Sequence, residues 1–359
     1  MSVLKKNKKS HLTKSMFLDE GVDIARYDQV KYPGIEKITE KQLGFFWRPE
    51  EVDVSKDKAD FNALTSFEKH IFTSNLKRQI LLDSVQGRAP NIAFLPITSL
   101  PEIENWIETW SFFETIHSRS YTHLIRNVYP NPSVVFDGLL DVKEIIECSN
   151  DIAKYYDTLI DYNNSQTEQR SYAHKKALWM CLMGANALEG IRFYVSFACA
   201  WAFAENKKME GNAKIIKFIA RDENIHLAST TWMLKTLIKE DKDFEKIAKE
   251  TQKDCEQLYI DVITQEREWA RYLFKDGSMI GLNEKLLSDY VDWIGAKRMR
   301  AIGLTCPFSV SQLNPLPWTE KWISGHNVQP APQETEISSY VVGGVKQDVD
   351  EKTLSKLSL

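Results

Sequence analysis

The stretch IENWIETWSFFETIHSRSYTHLIRNV, residues 103–128, decides how the chain is read. Its apolar positions include Ile103, Trp106, Ile107, Trp110, Leu124, Ile125 and Val128, the three-and-four spacing of a helix face turned to a core. Continued through the middle, the same stripe takes in Glu114, His117 and Tyr121. A carboxylate and an imidazole three residues apart thus occupy a face that ought to be apolar. The stretch 212–239 repeats the arrangement, with Ile215, Ile216 and Ile219 leading to Glu223 and His226 and then Met233 and Leu237. Two further long segments each set one carboxylate into such a face: Asp83, after Leu76 and Ile80 in 66–87, and Glu189, after Leu182 and Ala185 in 172–205.

With seven histidines in 359 residues, chance alone supplies roughly half of one Glu-x-x-His, so the spacing by itself carries little. Burial carries the argument. Four carboxylates and two imidazoles on buried stripes cost several kcal/mol each unless a cation balances them, and those faces offer few lysines or arginines. Two metal ions would balance four carboxylates. One carboxylate from each of two helices and Glu-x-x-His from each of two others is the donor set of ferritin-like di-iron and di-manganese bundles, here with Asp83 as one of the single carboxylates. Oxygen-rich ligation with two imidazoles and no thiolate favours iron or manganese over zinc or copper.

The rest of the chain agrees with a helical reading. Fifteen glycines and twelve prolines in 359 residues favour long elements, and none of the four long segments has an interior proline. Further helical pattern occupies about 140–162, 244–274 and 283–303, and no run shows sustained β alternation. The net charge of −4 offers no basic excess for a nucleic-acid backbone. The most apolar segment, 194–204, is far short of the ~20 residues of a membrane span. Five widely spaced cysteines with no Cys-x-x-Cys pair argue against a disulfide framework and fit a reducing cytoplasm. Residues 1–15 are expected to form a flexible arm, 16–325 the helical metal-binding domain and 326–359 a flexible tail.

Several residues near these stripes have an ordinary reading as well as a chemical one. A tyrosine at position 121, one turn beyond His117, is usually core with its hydroxyl satisfied, but here it would also sit beside the metals. Phe193, Phe197 and Ile219 are core by default and equally suit a dry pocket, and Trp47 reads as a buried anchor. Tyr340 lies in a polar stretch where no core is available to it.

The strings QLGFFWRPEEVDVS (42–55), LLDSVQGR (81–88), ETWSFFETIHSRSYTHLIRN (108–127), NALEGIRFYVSFAC (186–199), NAKIIKFIARDENIHL (212–227) and APQETEISSYVVG (331–343) resemble the small, radical-generating subunit of aerobic class Ia ribonucleotide reductase. The resemblance runs from about residue 16 to the end. It implies an all-α, ferritin-like bundle with additional helices and two irons per chain, one held by Asp83, Glu114 and His117 and the other by Glu189, Glu223 and His226, with one or more glutamates bridging. By the same resemblance, reaction of the reduced site with dioxygen yields a tyrosyl radical on Tyr121, shielded by Phe193, Phe197 and Ile219. Trp47 matches the tryptophan of an electron relay, with Asp222 linking it to His117 and Arg221 in support. Tyr340 and Glu334 match tail residues that serve transfer to the large subunit, which reduces ribonucleoside diphosphates. The family further implies a homodimer and tail docking on that large subunit, with no nucleic-acid or membrane partner.

Departures from the family pattern are local. The segment 140–174 is the thinnest match, Phe113 stands where a smaller residue is expected, and the last residues keep Leu354, Leu357 and Leu359 but no aromatic. Two rivals remain on the donor set alone: another di-iron oxidase, which needs a substrate channel and no tail relay, and an iron-storage bundle, for which Tyr121, Trp47 and Tyr340 are incidental.

Overall fold

The computed structural model describes residues 6–323. In chain order the helices are α1 (Pro33–Gly44), α2 (Asp57–Ala63), α3 (Ser66–Gln86), α4 (Pro101–Val128), α5 (Ser133–Asp137), α6 (Lys143–Asn164), α7 (Tyr172–Ala187), α8 (Tyr194–Glu205), α9 (Glu210–Glu240), α10 (Lys242–Glu250), α11 (Gln252–Leu273), α12 (Glu284–Ala301) and α13 (Glu320–Ile323). Among the described residues β pairing is limited to two isolated bridges, Phe17 with Thr98 and Met279 with Leu282. No described helix is long and apolar enough to cross a membrane, and all five cysteines are free thiols.

Local chemistry starts the long helices. Thr65 caps α3, accepting from the Glu68 amide at 3.1 Å while the Glu68 carboxylate accepts from the Thr65 amide at 2.9 Å. Pro101 opens α4, where a missing N–H costs nothing. The buried Asp57 carboxylate accepts the Gly211 and Asn212 amides at 3.1 and 2.6 Å at the start of α9. Position 211 must be glycine: a Cβ there would lie 2.7 Å from the Asp53 carbonyl oxygen.

The core of the bundle is α3 packed on α4 and α8, with α9 packed on α4, α7 and α8. Helix α6 covers α3 and α7, and α11 and α12 pair with each other against α7, α8 and the 188–192 segment. Two sequence expectations are corrected. The segment 172–205 is interrupted at Leu188–Arg192, where the backbone widens to a π-helical turn. The segment 244–274 is two helices, α10 and α11, meeting at Thr251, whose hydroxyl turns back to the Ile247 carbonyl at 2.7 Å. Residues 6–15 make specific contacts: Lys14 is buried with its ammonium on the Gly21 carbonyl at 3.1 Å, and the Asn7 amide reaches the same carbonyl at 2.5 Å.

Candidate metal centre

Four helical elements deliver six side chains to one point. Asp83 comes from α3, Glu114 and His117 from α4, Glu189 from the π-helical turn, and Glu223 and His226 from α9. All six are fully buried. Their donor atoms form two groups, each within 4.8 Å of one another: Asp83, Glu114 and His117, and Glu114, Glu189, Glu223 and His226. Glu114 belongs to both groups. Each imidazole turns Nδ1 inward, His117 to Glu114 Oε2 and Glu223 Oε1 at 3.2 Å each, and His226 to Glu114 Oε1 and Glu223 Oε2 at 3.1 Å each.

The electrostatics of this cluster are those of a site built for cations. Burial pushes the Asp83 and Glu223 carboxyls well above their ordinary values, and the neighbouring Glu114 charge pushes them the same way. Burial also acts to raise Glu114, but His117 and His226 outweigh it and bring the group down to about 2. Burial acts to lower both imidazoles. Asp222 and Glu114 nevertheless lift His117 to about 10, and Glu114, Glu189 and Glu223 lift His226 well above its ordinary value. Both oxygens of Asp83 and Oε2 of Glu189 are buried with no hydrogen-bond partner. Orphaned carboxylate oxygens beside inward-facing imidazole nitrogens fit a pair of metal ions of the iron or manganese type.

The other candidates among the described residues are all buried, and Asp222 and Trp47 join the cluster through hydrogen bonds. Tyr121 is fully buried, its hydroxyl has no hydrogen-bond partner, and burial followed by the Asp83 carboxylate raises its pKa well above 10.0. Phe193, Phe197 and Ile219 are fully buried, with the two phenyl rings stacked at 5.8 Å. On the other side, His117 Nε2–H donates to Asp222 Oδ2 at 3.1 Å, and the same oxygen accepts from Trp47 Nε1–H at 2.8 Å. The Arg221 guanidinium stands 3.5 Å from the other Asp222 oxygen, donates to the Phe45 carbonyl at 2.5 Å and lies over the Phe45 ring. Phe113 is buried edge-on to Phe112 at 5.9 Å. Tyr340 and Glu334 lie outside the described residues.

Two supporting residues were missed from sequence. Gln86 Nε2–H donates to Glu189 Oε1 at 2.5 Å, and its own oxygen accepts from the Tyr156 hydroxyl at 2.9 Å. Trp110 Nε1–H donates to Glu114 Oε1 at 3.1 Å. Helical spacing held the signal, since Gln86 stands three residues after Asp83 and Trp110 four before Glu114.

The family model described as "Ribonucleotide reductase, small chain" matches residues 25–315. The chain belongs to that family. Among curated small chains it is 52% identical to "Ribonucleoside-diphosphate reductase subunit beta" of Buchnera aphidicola subsp. Baizongia pistaciae, across 99% of this chain and 98% of the relative. It is likewise 52% identical to "Ribonucleoside-diphosphate reductase 1 subunit beta" of Escherichia coli O157:H7, across 98% of each. The counterpart from Enterobacteria phage T4 is 42% identical across 96% of this chain and 95% of its own length. Among solved structures, the ribonucleotide reductase R2 subunit from Clostridium botulinum superposes with a TM-score of 0.80 at 25% identity, covering 90% of this chain and 98% of that one. The dimanganese(II) NrdF of Streptococcus sanguinis shares the fold, with a TM-score of 0.69 at 18% identity over 84% of this chain and 100% of its own. The ribonucleotide reductase small chain is thus an all-helical, ferritin-like protein in this instance too, with its carboxylate and histidine cluster at the centre of the bundle.

Proposed function

We propose that this small chain generates and stores a radical on Tyr121 for an aerobic reductase of ribonucleoside diphosphates. The observation that carries the reading is the placement of Tyr121. Its phenol is buried and unpartnered against Asp83, in the same cluster that joins His117, Asp222 and Trp47 by hydrogen bonds on its other side. On this reading Asp83, Glu114 and His117 hold one metal, Glu189, Glu223 and His226 the other, and Glu114 is shared. The metals are iron by the class Ia resemblance, and the donor set accepts manganese as well. When bound and reduced, the pair supplies the dioxygen chemistry whose end point is a one-electron-oxidised Tyr121.

The chain's own residues do the rest. The Asp83 carboxylate faces the phenol and stands where the proton of Tyr121 must go. Phe193, Phe197 and Ile219, all fully buried, are assigned the dry wall that would keep water and reductants away from a radical. Trp47, Asp222 and His117 offer a continuous hydrogen-bonded path from the cluster toward α1. The substrate class follows from the names borne by relatives about half identical over the whole chain. Tyr340, with Glu334, continues the path to a large subunit on which the tail 326–359 docks. The chain works as a cytoplasmic homodimer, with residues 16–325 forming the metal-binding domain and 1–15 an arm.

The test is to load metal-free protein with ferrous iron, admit oxygen and record the electron paramagnetic resonance spectrum. A tyrosyl signal is expected, lost in Tyr121→Phe. No signal, or one that survives the substitution, removes the radical from Tyr121. For the tail, Tyr340→Phe is expected to keep the radical and lose turnover with the large subunit, and full turnover would refute the relay.

A further inference from the structure

The two metal positions are not framed alike. Asp83, Glu114 and His117 project from uninterrupted α-helices, whereas Glu189 projects from the π-helical turn Leu188–Arg192. A π turn trades the regular i→i+4 ladder for a wider one and commonly marks a functional side chain, and its geometry needs support from outside the helix. That support comes from Arg298 on α12. Its Nε–H donates to the carbonyl of Gly190 at 3.2 Å, immediately after Glu189. Its Nη2–H donates at 3.0 Å to the hydroxyl of Tyr194, the first residue of α8 beyond the turn.

The same fork reaches the second carboxylate carrier. The Tyr194 hydroxyl donates at 3.0 Å to Asn224 Oδ1, immediately after Glu223, and Asn224 Nδ2–H donates back into α9 at the Ala220 carbonyl, 2.7 Å away. Burial and close packing complete the clamp. Tyr194 is 1% exposed. A Cβ at Gly190 would lie 3.1 Å from Leu227 Cδ1 and 3.3 Å from Arg298 Cγ, so the arginine stem lies directly on the turn. No bond from this fork goes to a residue adjacent to Asp83, Glu114 or His117.

We propose that Arg298 is a positioning residue that sets the metal position bounded by Glu189, Glu223 and His226 and leaves the Asp83 and His117 position untouched. The planar guanidinium suits the task because it serves two acceptors at a fixed angle, which a lysine ammonium cannot do. The inference rests on the two-metal reading given above. Its test uses the full chain and Mn(II) alone as the probe, with binding followed by the loss of the free-ion paramagnetic resonance signal.

Wild-type chain is expected to take up two Mn(II) and show the spectrum of a spin-coupled pair. Arg298→Gln is expected to bind one Mn(II) with wild-type affinity and the other about 10- to 100-fold more weakly. It then shows isolated Mn(II) at loadings where the wild type is coupled. Arg298→Lys, which keeps the charge, is expected to recover only part of the second affinity, and Lys297→Gln, next along α12, to bind as wild type. Two unchanged affinities in Arg298→Gln would overturn the proposal. So would an equal weakening of both positions, or full recovery in Arg298→Lys, because global loosening or charge alone would then explain the data. A wild-type chain that binds fewer than two Mn(II) would instead refute the two-metal reading itself, and the present inference with it.

Discussion

Asp222 offers the sharpest test of how the site is held, because both of its strong donors converge on one oxygen. Trp47 Nε1–H and His117 Nε2–H reach Oδ2 at 2.8 and 3.1 Å, while Oδ1 faces Arg221 Nε at 3.5 Å. Asp222→Ala leaves two donors buried without an acceptor, at about 1–3 kcal/mol each, so a loss of about 2–6 kcal/mol is expected. Asp222→Asn can set its amide oxygen at the Oδ2 position and keep both bonds. It gives up charge assistance and points an NH2 toward Arg221, and a loss of about 1–3 kcal/mol is expected. The assay is urea denaturation of the metal-free proteins at pH 7 with the wild type alongside. Asparagine should be milder than alanine by at least about 1 kcal/mol. Equal losses, or a larger loss for asparagine, would refute the shared-acceptor account and with it the coupling of Trp47 to His117 through Asp222.

Four further outcomes follow from the structure. Tyr121→Phe removes a buried hydroxyl that has no hydrogen-bond partner, so the metal-free variant should be at least as stable as the wild type in the same denaturation. Metal uptake should release protons. The metal-free protein holds His117 protonated up to about pH 10, and a metal takes only the free base, so Mn(II) affinity should rise with pH toward that value. Calorimetry in buffers of different ionisation enthalpy checks the release. For the metal-free fold the sign is opposite: the raised His117 pKa contributes stability that is complete below its ordinary 6.5 and is lost as pH rises through about 10. Finally, Gly295→Ala would place a Cβ 2.4 Å from Ile263 Cδ1 where α11 meets α12, and a thermal or urea titration should show a loss of about 1–3 kcal/mol.

The six cluster residues were legible in the sequence because a charged group on an apolar stripe is a contradiction that the reader can see. Asp83, Glu114, His117, Glu189, Glu223 and His226 all interrupt otherwise hydrophobic helix faces, and all six meet in the bundle. The helices themselves were legible for the same reason, since periodicity reports which face is buried. The π turn at Leu188–Arg192 was not, because ALEGIR contains no proline and a one-residue widening leaves the apolar pattern nearly unchanged. The break at Thr251 was hidden in the same way. Gln86 and Trp110 also escaped, because a glutamine or an indole on a buried face announces nothing until its partner across the core is known. The contacts of residues 6–15 were invisible to periodicity, since they run from lysine and asparagine side chains to backbone carbonyls.

The spacing of the cluster along the chain has a thermodynamic consequence. From Asp83 to His226 the donors span 143 positions and four helical elements, so no local stretch of the unfolded chain can reproduce the site. A metal held by this cluster would therefore bind the native state far better than the unfolded chain and act as a mass-action stabiliser. At a free concentration one hundred times the dissociation constant, each occupied position adds about 2.7 kcal/mol. On the two-metal reading the loaded chain would therefore open less often than the metal-free one, and limited proteolysis should cut the metal-free form first.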